Sequence, residues 1–347
     1  MKIFFPSDHC PELWQRQKIE QFVADLKQQS RTVAPQCHEV VSHTEAADIF
    51  VFATHVAGFD LFNSNFYFDL RHHRFVKQFP DRCFLWDDKD FPLPILPGLY
   101  ASLHQRDFDS REHRSFCYSS ATNPYIEEQV HHNDIQPDLL VSFVGSISSP
   151  IRARLFEIDF QRSDVFIQKS LNLWDGLLTD DRHQVLQIEY AKLLLRSRFV
   201  LCPRGNGVSS YRLFETMQAG RVPVILAKGW VFPEGCDWEK FSLRIDERQI
   251  DQLPQLLVQY EPQAQTMGAL ARKAWETWFD PAIRVHAIAE LIQSIQQTCP
   301  QRSYFWRSWQ QRLIIARYVS RHRKGQLQRQ IHRQIGTLLS GITKSGH

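Results

Sequence analysis

Residues 198–226, RFVLCPRGNGVSSYRLFETMQAGRVPVIL, constrain this chain more than any other stretch. Phe199 to Cys202 is a short apolar run, as in a strand buried on both faces of a parallel sheet. Pro203 to Gly207 reads as a loop whose two glycines permit close backbone approach. Ser209 and Ser210 are good N-caps for a helix. Leu213, Phe214 and Met217 share a helical face, and Gly220 stands where a left-handed C′ residue is expected. Val222 to Leu226 is the next strand. Strand, helix and strand in this order make a right-handed crossover. The helix entrance after the loop is a natural site for a phosphate.

Two such units fit comfortably in 347 residues, 43% of them apolar, with 25 Phe and nine Trp to fill real cores. No run of 18 apolar residues occurs, so no transmembrane helix is expected. The opening Met1 to Pro6 is too short in its apolar run for a secretory signal. The seven cysteines are dispersed without a CxxC pair, which fits reduced thiols. No zinc-type cluster emerges from the spacing of Cys and His, and neither a metal nor a cofactor is expected. A cytoplasmic location follows as the expectation. The net charge of +3 conceals an asymmetry: residues 291–347 carry ten Lys/Arg and no acid. Such a tail implies an anionic partner.

Elements can be placed along most of the chain. Residues 2–5, 48–53, 83–86, 139–144 and 165–168 read as strands, with a further strand at 116–119. Helices are expected at 12–29, about 66–76, from Pro150, at 182–197, 250–260, 262–279 and 281–297. Residues 121–138, with Asn, Pro and charges, suit a domain linker. Beyond 300, Trp306, Trp309 and Leu313 form one stripe and Leu327, Ile331, Ile335 and Leu338 another, among Arg and Gln. A basic amphipathic tail of this kind suits an anionic membrane surface, so a peripheral position on the inner face of the plasma membrane is expected; packing against the body or binding a partner are the alternatives.

Candidate site residues sit at strand ends, where open α/β sheets bind ligands. Asp87, Asp88 and Asp90 follow the strand at 83–86. Gly145 and Ser146 follow the strand at 139–144, with Arg152 and Arg154 in the next helix's first turn, where basic residues oppose the helix dipole unless an anion lies between them. Arg204, Gly205, Ser209, Ser210 and Arg212 surround the second helix entrance. Arg204 has the planar fork suited to phosphate oxygens. Glu215 is placed to accept from the vicinal hydroxyls of a ribose. Neither GxxxxGK[ST] nor GxGxxG occurs, which removes support for nucleoside triphosphate hydrolysis and dinucleotide redox chemistry. A nucleotide diphosphate whose terminal group is transferred remains.

FVLCPRG at 199–205, SYRLFE at 210–215, QAG at 218–220, VPVIL at 222–226 and WEKFS at 238–242 resemble the exostosin-like glycosyltransferase family (glycosyltransferase family 47). LLVSFVG at 139–145 followed by RARL at 152–155 is similar to that family's preceding strand and turn. The resemblance implies an α/β chain of GT-B architecture, two Rossmann-like domains facing across a cleft. Residues 1–135 would form the acceptor domain, 136–297 the nucleotide-sugar domain and 298–347 the basic helical tail. It implies inverting transfer from a nucleotide-diphosphate sugar, most often a UDP-sugar, to a glycan or lipid-linked glycan acceptor without an essential metal. No nucleic-acid partner is implied. Arg204 would bind the diphosphate and Glu215 the ribose, with Ser209 and Ser210 supporting the turn. An inverting reaction also wants a base for the acceptor hydroxyl, for which Asp87, Asp88, Asp90 and His55 are candidates. The alternatives are a GDP-sugar enzyme of fucosyltransferase type, and a non-catalytic nucleotide-sugar or glycan-binding protein.

Overall fold

The computed structural model describes residues 1–347 apart from 11, 31–37, 55–63, 121, 133–134, 171–179, 300–313, 315 and 317–347. Two parallel sheets carry the fold. The N-terminal sheet contains β1 (Lys2–Phe4), β2 (Glu39–Val40), β3 (Ile49–Ala53), β4 (Cys83–Asp87), β5 (Gly98–Tyr100) and β6 (His113–Ser115), in the order β2-β1-β3-β4-β5-β6. The C-terminal sheet contains β7 (Leu139–Gly145), β8 (Val165–Lys169), β9 (Ser197–Pro203), β10 (Val222–Leu226) and β11 (Leu243–Arg244), in the order β11-β10-β9-β7-β8. Every pairing in both sheets is parallel. The helices are α1 (Leu13–Ser30), α2 (Ser64–His72), α3 (Arg74–Gln78), α4 (Pro124–His132), α5 (Pro150–Leu155), α6 (Asp180–Arg196), α7 (Tyr211–Gln218), α8 (Trp238–Phe241), α9 (Leu253–Tyr260), α10 (Ala264–Trp278) and α11 (Arg284–Thr298).

Burial explains the central strands. β3, β4 and β10 are buried at every position, as continuous apolar runs covered on both faces must be. β9 pairs with β10 from Phe199 opposite Val222 to Pro203 opposite Leu226, so the stretch at 198–226 is the crossover its sequence describes. Gly220 has φ +65°, the left-handed conformation that ends α7. Ser210 takes the N-cap position of α7 with extended backbone but makes no side-chain cap hydrogen bond.

Several expectations shift. The strand expected at 116–119 lies instead at His113–Ser115, and β5 arises in a Pro-rich stretch read as loop. The helix expected at about 66–76 is two helices, because His73 leaves the helical conformation and its Nδ1 caps α3 through the Phe75 N–H. The expected linker contains α4, which packs on α6. Of the tail at 298–347, only Thr298, Cys299, Ile314 and Ala316 are among the described residues. Ile314 packs against the apolar cluster of the N-terminal sheet, and Ala316 is exposed. No helix among the described residues is long and apolar enough to cross a membrane.

The two sheets share one core. Trp86, Phe116 and Tyr118 from the first half join Leu213, Phe214 and Met217 from the second in a continuous cluster. The phenol rings of Tyr118 and Tyr211 stack at 3.9 Å, and Phe279 bridges Phe116 and Phe214 at 6.2 and 5.1 Å. Each such buried side chain contributes roughly 1.5–3 kcal/mol. Polar contacts fix the register of the halves: Gln218 Oε1 accepts from Asn123 N at 3.0 Å, and Trp230 Nε1 donates to Ala101 O at 3.1 Å. α11 returns to the first half and packs on β5 and α1.

The loop after β9 meets the loop after β4 at Gly207. A Cβ there would lie 2.6 Å from Asp90 O and would collide with Ser102 Oγ. That hydroxyl is already fixed, donating to Asp90 O at 3.0 Å and accepting from Val208 N at 2.9 Å. Gly207→Ala therefore has to push the halves apart, at a cost of about 1–3 kcal/mol. A lowered thermal unfolding midpoint is the expected result; an unchanged midpoint would show that these loops part freely.

Candidate functional site

Each sheet has a switch point, where successive connections leave to opposite sides and a crevice opens beyond the strand ends. In the C-terminal sheet it lies between β7, which leads out to β8, and β9, which leads the other way to β10. Arg152, in the first turn of α5, spans this crevice. Its Nε donates to Arg204 O at 3.1 Å, its Nη2 to Pro203 O at 3.2 Å and its Nη1 to Ser146 O at 3.4 Å. Ser149 Oγ donates to the same Arg204 carbonyl at 2.9 Å. One side chain thus ties together the loops after β7 and β9.

Arg212, in the first turn of α7, reaches back from the other side and donates through Nη2 to Val144 O at 2.5 Å. Its guanidinium lies 4.7 Å from the centre of the Phe143 ring, and that of Arg152 lies 5.8 Å from it. A ring face favours cations, so Phe143 holds both arginines close together. The two repel: burial, and then the charge of Arg212, bring the Arg152 guanidinium down to about 10. Gly145 lies against Arg212, its Cα facing the Arg212 Nη2 and the Phe143 ring.

Glu215 follows Arg212 on α7. Part of its surface reaches solvent, but dense protein around it pushes its carboxyl up to about 7, against the opposing pull of Arg212 and Tyr190. Ser209 is buried beside Tyr118, and Ser210 is partly exposed at the helix entrance.

Arg204 points elsewhere. Its Nε donates to Glu247 Oε1 at 2.7 Å and its Nη2 to Oε2 at 3.3 Å, and Lys228 N donates to the same carboxylate at 3.2 Å. Arg204 therefore braces the ends of β9, β10 and β11 against one another. Gly205 lies beneath the Arg152 guanidinium. Arg154 turns away from Arg152 and pairs with Asp251 at 2.9 Å on the surface.

The three aspartates after β4 separate. Asp87 is fully buried, accepting from Tyr67 Oη at 2.6 Å and Thr54 Oγ1 at 3.1 Å, and burial raises its pKa. Asp88 is spent on Ser119, whose N and Oγ both donate to it. Asp90 faces the loop after β9: it lies against Asn206 and the Gly207 N–H, within the field of Arg152, and burial raises its pKa. His55 lies outside the described residues.

Phe143, Tyr190 and Glu247 belong to this cluster and were not legible as such. Phe143 and Tyr190 read as ordinary apolar positions of a strand and a helix, and Glu247 as a surface acid before a helix. A cavity of about 600 Å³ opens at the opposite end of the sheet, among Ile135, Leu195, Arg198, Gly220 and Glu261, and takes no part in the cluster.

The chain is similar in sequence to several known proteins. Exostosin-1 of Drosophila melanogaster is 31% identical over 173 residues, 46% of this chain and 22% of that protein. An exostosin-1 homolog of Caenorhabditis elegans is 39% identical over 72 residues, 20% of this chain and 19% of that protein. A probable glycosyltransferase of Arabidopsis thaliana is 31% identical over 121 residues, 34% of this chain and 23% of that protein. The matches thus span about a fifth of these relatives' length. The Exostosin GT47 domain matches residues 76–260, from α3 through α9 and across the whole arginine cluster. With more than half of its length covered by that match, the chain belongs to the exostosin GT47 family.

Proposed function

We propose that the protein is an inverting glycosyltransferase that takes a sugar from a UDP-sugar and passes it to a glycan acceptor in the cleft between the sheets. The observation that carries this reading is the pair Arg152 and Arg212, two cations held together on Phe143, whose guanidinium hydrogen bonds go to main-chain carbonyls and, for Arg212, also to Tyr190. Mutually repelling cations at a switch point favour a doubly charged group between them. As the glycosidic bond breaks, charge accumulates on the leaving diphosphate, and fixed positive charge there stabilises the transition state more than the ground state.

Glu215, on the same helix as Arg212, suits the ribose. Ionised, it accepts from two vicinal hydroxyls; protonated, it accepts poorly. Arg204 supports the turn through Glu247 and comes into contact with phosphate only by exchanging that carboxylate. Asp90 suits the role of base for the acceptor hydroxyl, because it lies at the loop after β9 within the field of Arg152. Its raised pKa makes it a better base than a solvated carboxylate. The membrane-facing role of the basic tail and the lipid-linked acceptor belong to this same proposal and rest on the tail's charge and its apolar stripes.

Thermal shift with UDP, GDP and CMP separates the donor classes, since a ligand of the folded state raises the midpoint by mass action. UDP is expected to shift it most; a larger shift with GDP would favour the fucosyltransferase-type alternative. Arg152→Ala and Arg212→Ala should each abolish the UDP shift and lower kcat/KM by about 10²–10³, the loss typical of one anion-stabilising donor. Arg204→Ala should act through Glu247 and cost less. Retained turnover in both of the first two variants would remove the paired arginines from the mechanism.

The ionisation of Glu215 gives a separate test. Its folded pKa of about 7 lies above the ordinary 4.5, so between these values the folded state holds the extra proton. Stability should fall as pH rises from 4.5 through 7, by up to about 3 kcal/mol. Glu215→Gln should remove that part of the slope, seen as the difference between the two proteins' denaturant unfolding curves across this window. Parallel curves would show that Glu215 ionises at its ordinary pKa.

A further inference from the structure

At the amino end of the N-terminal sheet, His38 stands at the entrance to β2 with its ring buried. Its Nδ1 lies 3.1 Å from the nitrogen of Met1, which leaves Nε2 to face α11. There it meets Glu290 Oε1 at 2.9 Å. His286 lies one turn earlier on α11, on the same helical face as Glu290. Its ring centre is 5.0 Å from that of His38, with the ring planes 29° apart. His286 and Glu290 are both exposed. One donor atom from each of the three side chains lies within 4.8 Å of the other two.

Two imidazole nitrogens and one carboxylate oxygen are the donor set of zinc and its first-row neighbours; magnesium and calcium prefer oxygen alone. Two imidazoles bound at ~2.1 Å to one tetrahedral ion place their ring centres about 5 Å apart, which is the separation here. A plain His–Glu hydrogen bond needs only His38 and Glu290. It does not call for a second imidazole one turn away at ligand spacing.

We propose that His38, His286 and Glu290 bind a zinc-type divalent ion, with water completing a tetrahedral shell. The ion displaces the proton that His38 Nε2 shares with Glu290. Nδ1 accepts from the Met1 ammonium and takes up that proton as Nε2 gives up its own to solvent, so one proton is released in all and binding weakens as pH falls. The site lies at the amino ends of the strands, whereas the arginine cluster lies beyond carboxyl ends. Its role is therefore to pin α11 to the first half of the chain, independently of the sugar-transfer reading.

Tag-free, metal-stripped protein titrated with zinc by calorimetry tests this, with cobalt as the spectroscopic probe of coordination. Saturable binding of one ion per chain and a raised unfolding midpoint are expected. His286→Ala and Glu290→Ala, both at exposed positions that the fold tolerates, should each weaken binding at least about tenfold and remove the midpoint shift. His43→Ala, at an exposed histidine elsewhere, should leave both unchanged. Absence of one-to-one binding, or binding that survives both substitutions, would overturn the proposal.

Discussion

Arg152 bridging the carbonyls of Ser146, Pro203 and Arg204 is the interaction on which the site depends. Those carbonyls belong to loops that follow two different strands, and nothing in a parallel sheet obliges such loops to converge. The guanidinium supplies the convergence because its donors are rigidly planar and spread over several angstroms. A lysine's compact ammonium would not span the three carbonyls as the planar guanidinium does. Main-chain acceptors orient the cation without cancelling its charge, as a carboxylate would. That difference separates Arg152 and Arg212 from Arg204, whose charge is matched by Glu247 within the protein.

The two sheets contribute unequally. The second supplies the cations, the helix entrances and Glu215. The first supplies a wall, held at a fixed distance by the Ser102 hydroxyl and the bare Cα of Gly207. Asp90 reaches the opposite loop only because that contact is so close. With Tyr118 stacked on Tyr211 and Phe279 wedged between Phe116 and Phe214, the interface is packed as densely as an interior. Large opening of the cleft would have to expose those rings, so motion here favours small sliding over wide hinging.

The strands that bear the site were legible because burial on both faces leaves an unbroken apolar run, as at Phe199–Cys202 and Val222–Leu226. Strands of two or three residues, such as β2, β5 and β6, carry too few positions to show a period, and their neighbours rather than their own residues make them strands. The two helix entrances named Gly145, Arg152, Arg204, Arg212 and Glu215 as candidates, but their spacing could not say which guanidinium carries a carboxylate. Glu247 lies far along the chain from Arg204, and only the adjacency of β9, β10 and β11 brings the two together. Likewise Asp87, Asp88 and Asp90 read as one acidic turn. The backbone turns each toward a different partner, which no spacing rule conveys.

Helix α11 carries a consequence for how the chain is made. It packs on β5 and α1, and Arg114 and His38 of the first half bond to Ser294 and Glu290 upon it. During synthesis the first sheet leaves the ribosome well before the helix that covers it, some 250 residues after His38. Until then the apolar surface around Leu99 and Ile19 has no lid, and closing so long a loop is slow. The early half of the chain is thus a dependent body until α11 arrives.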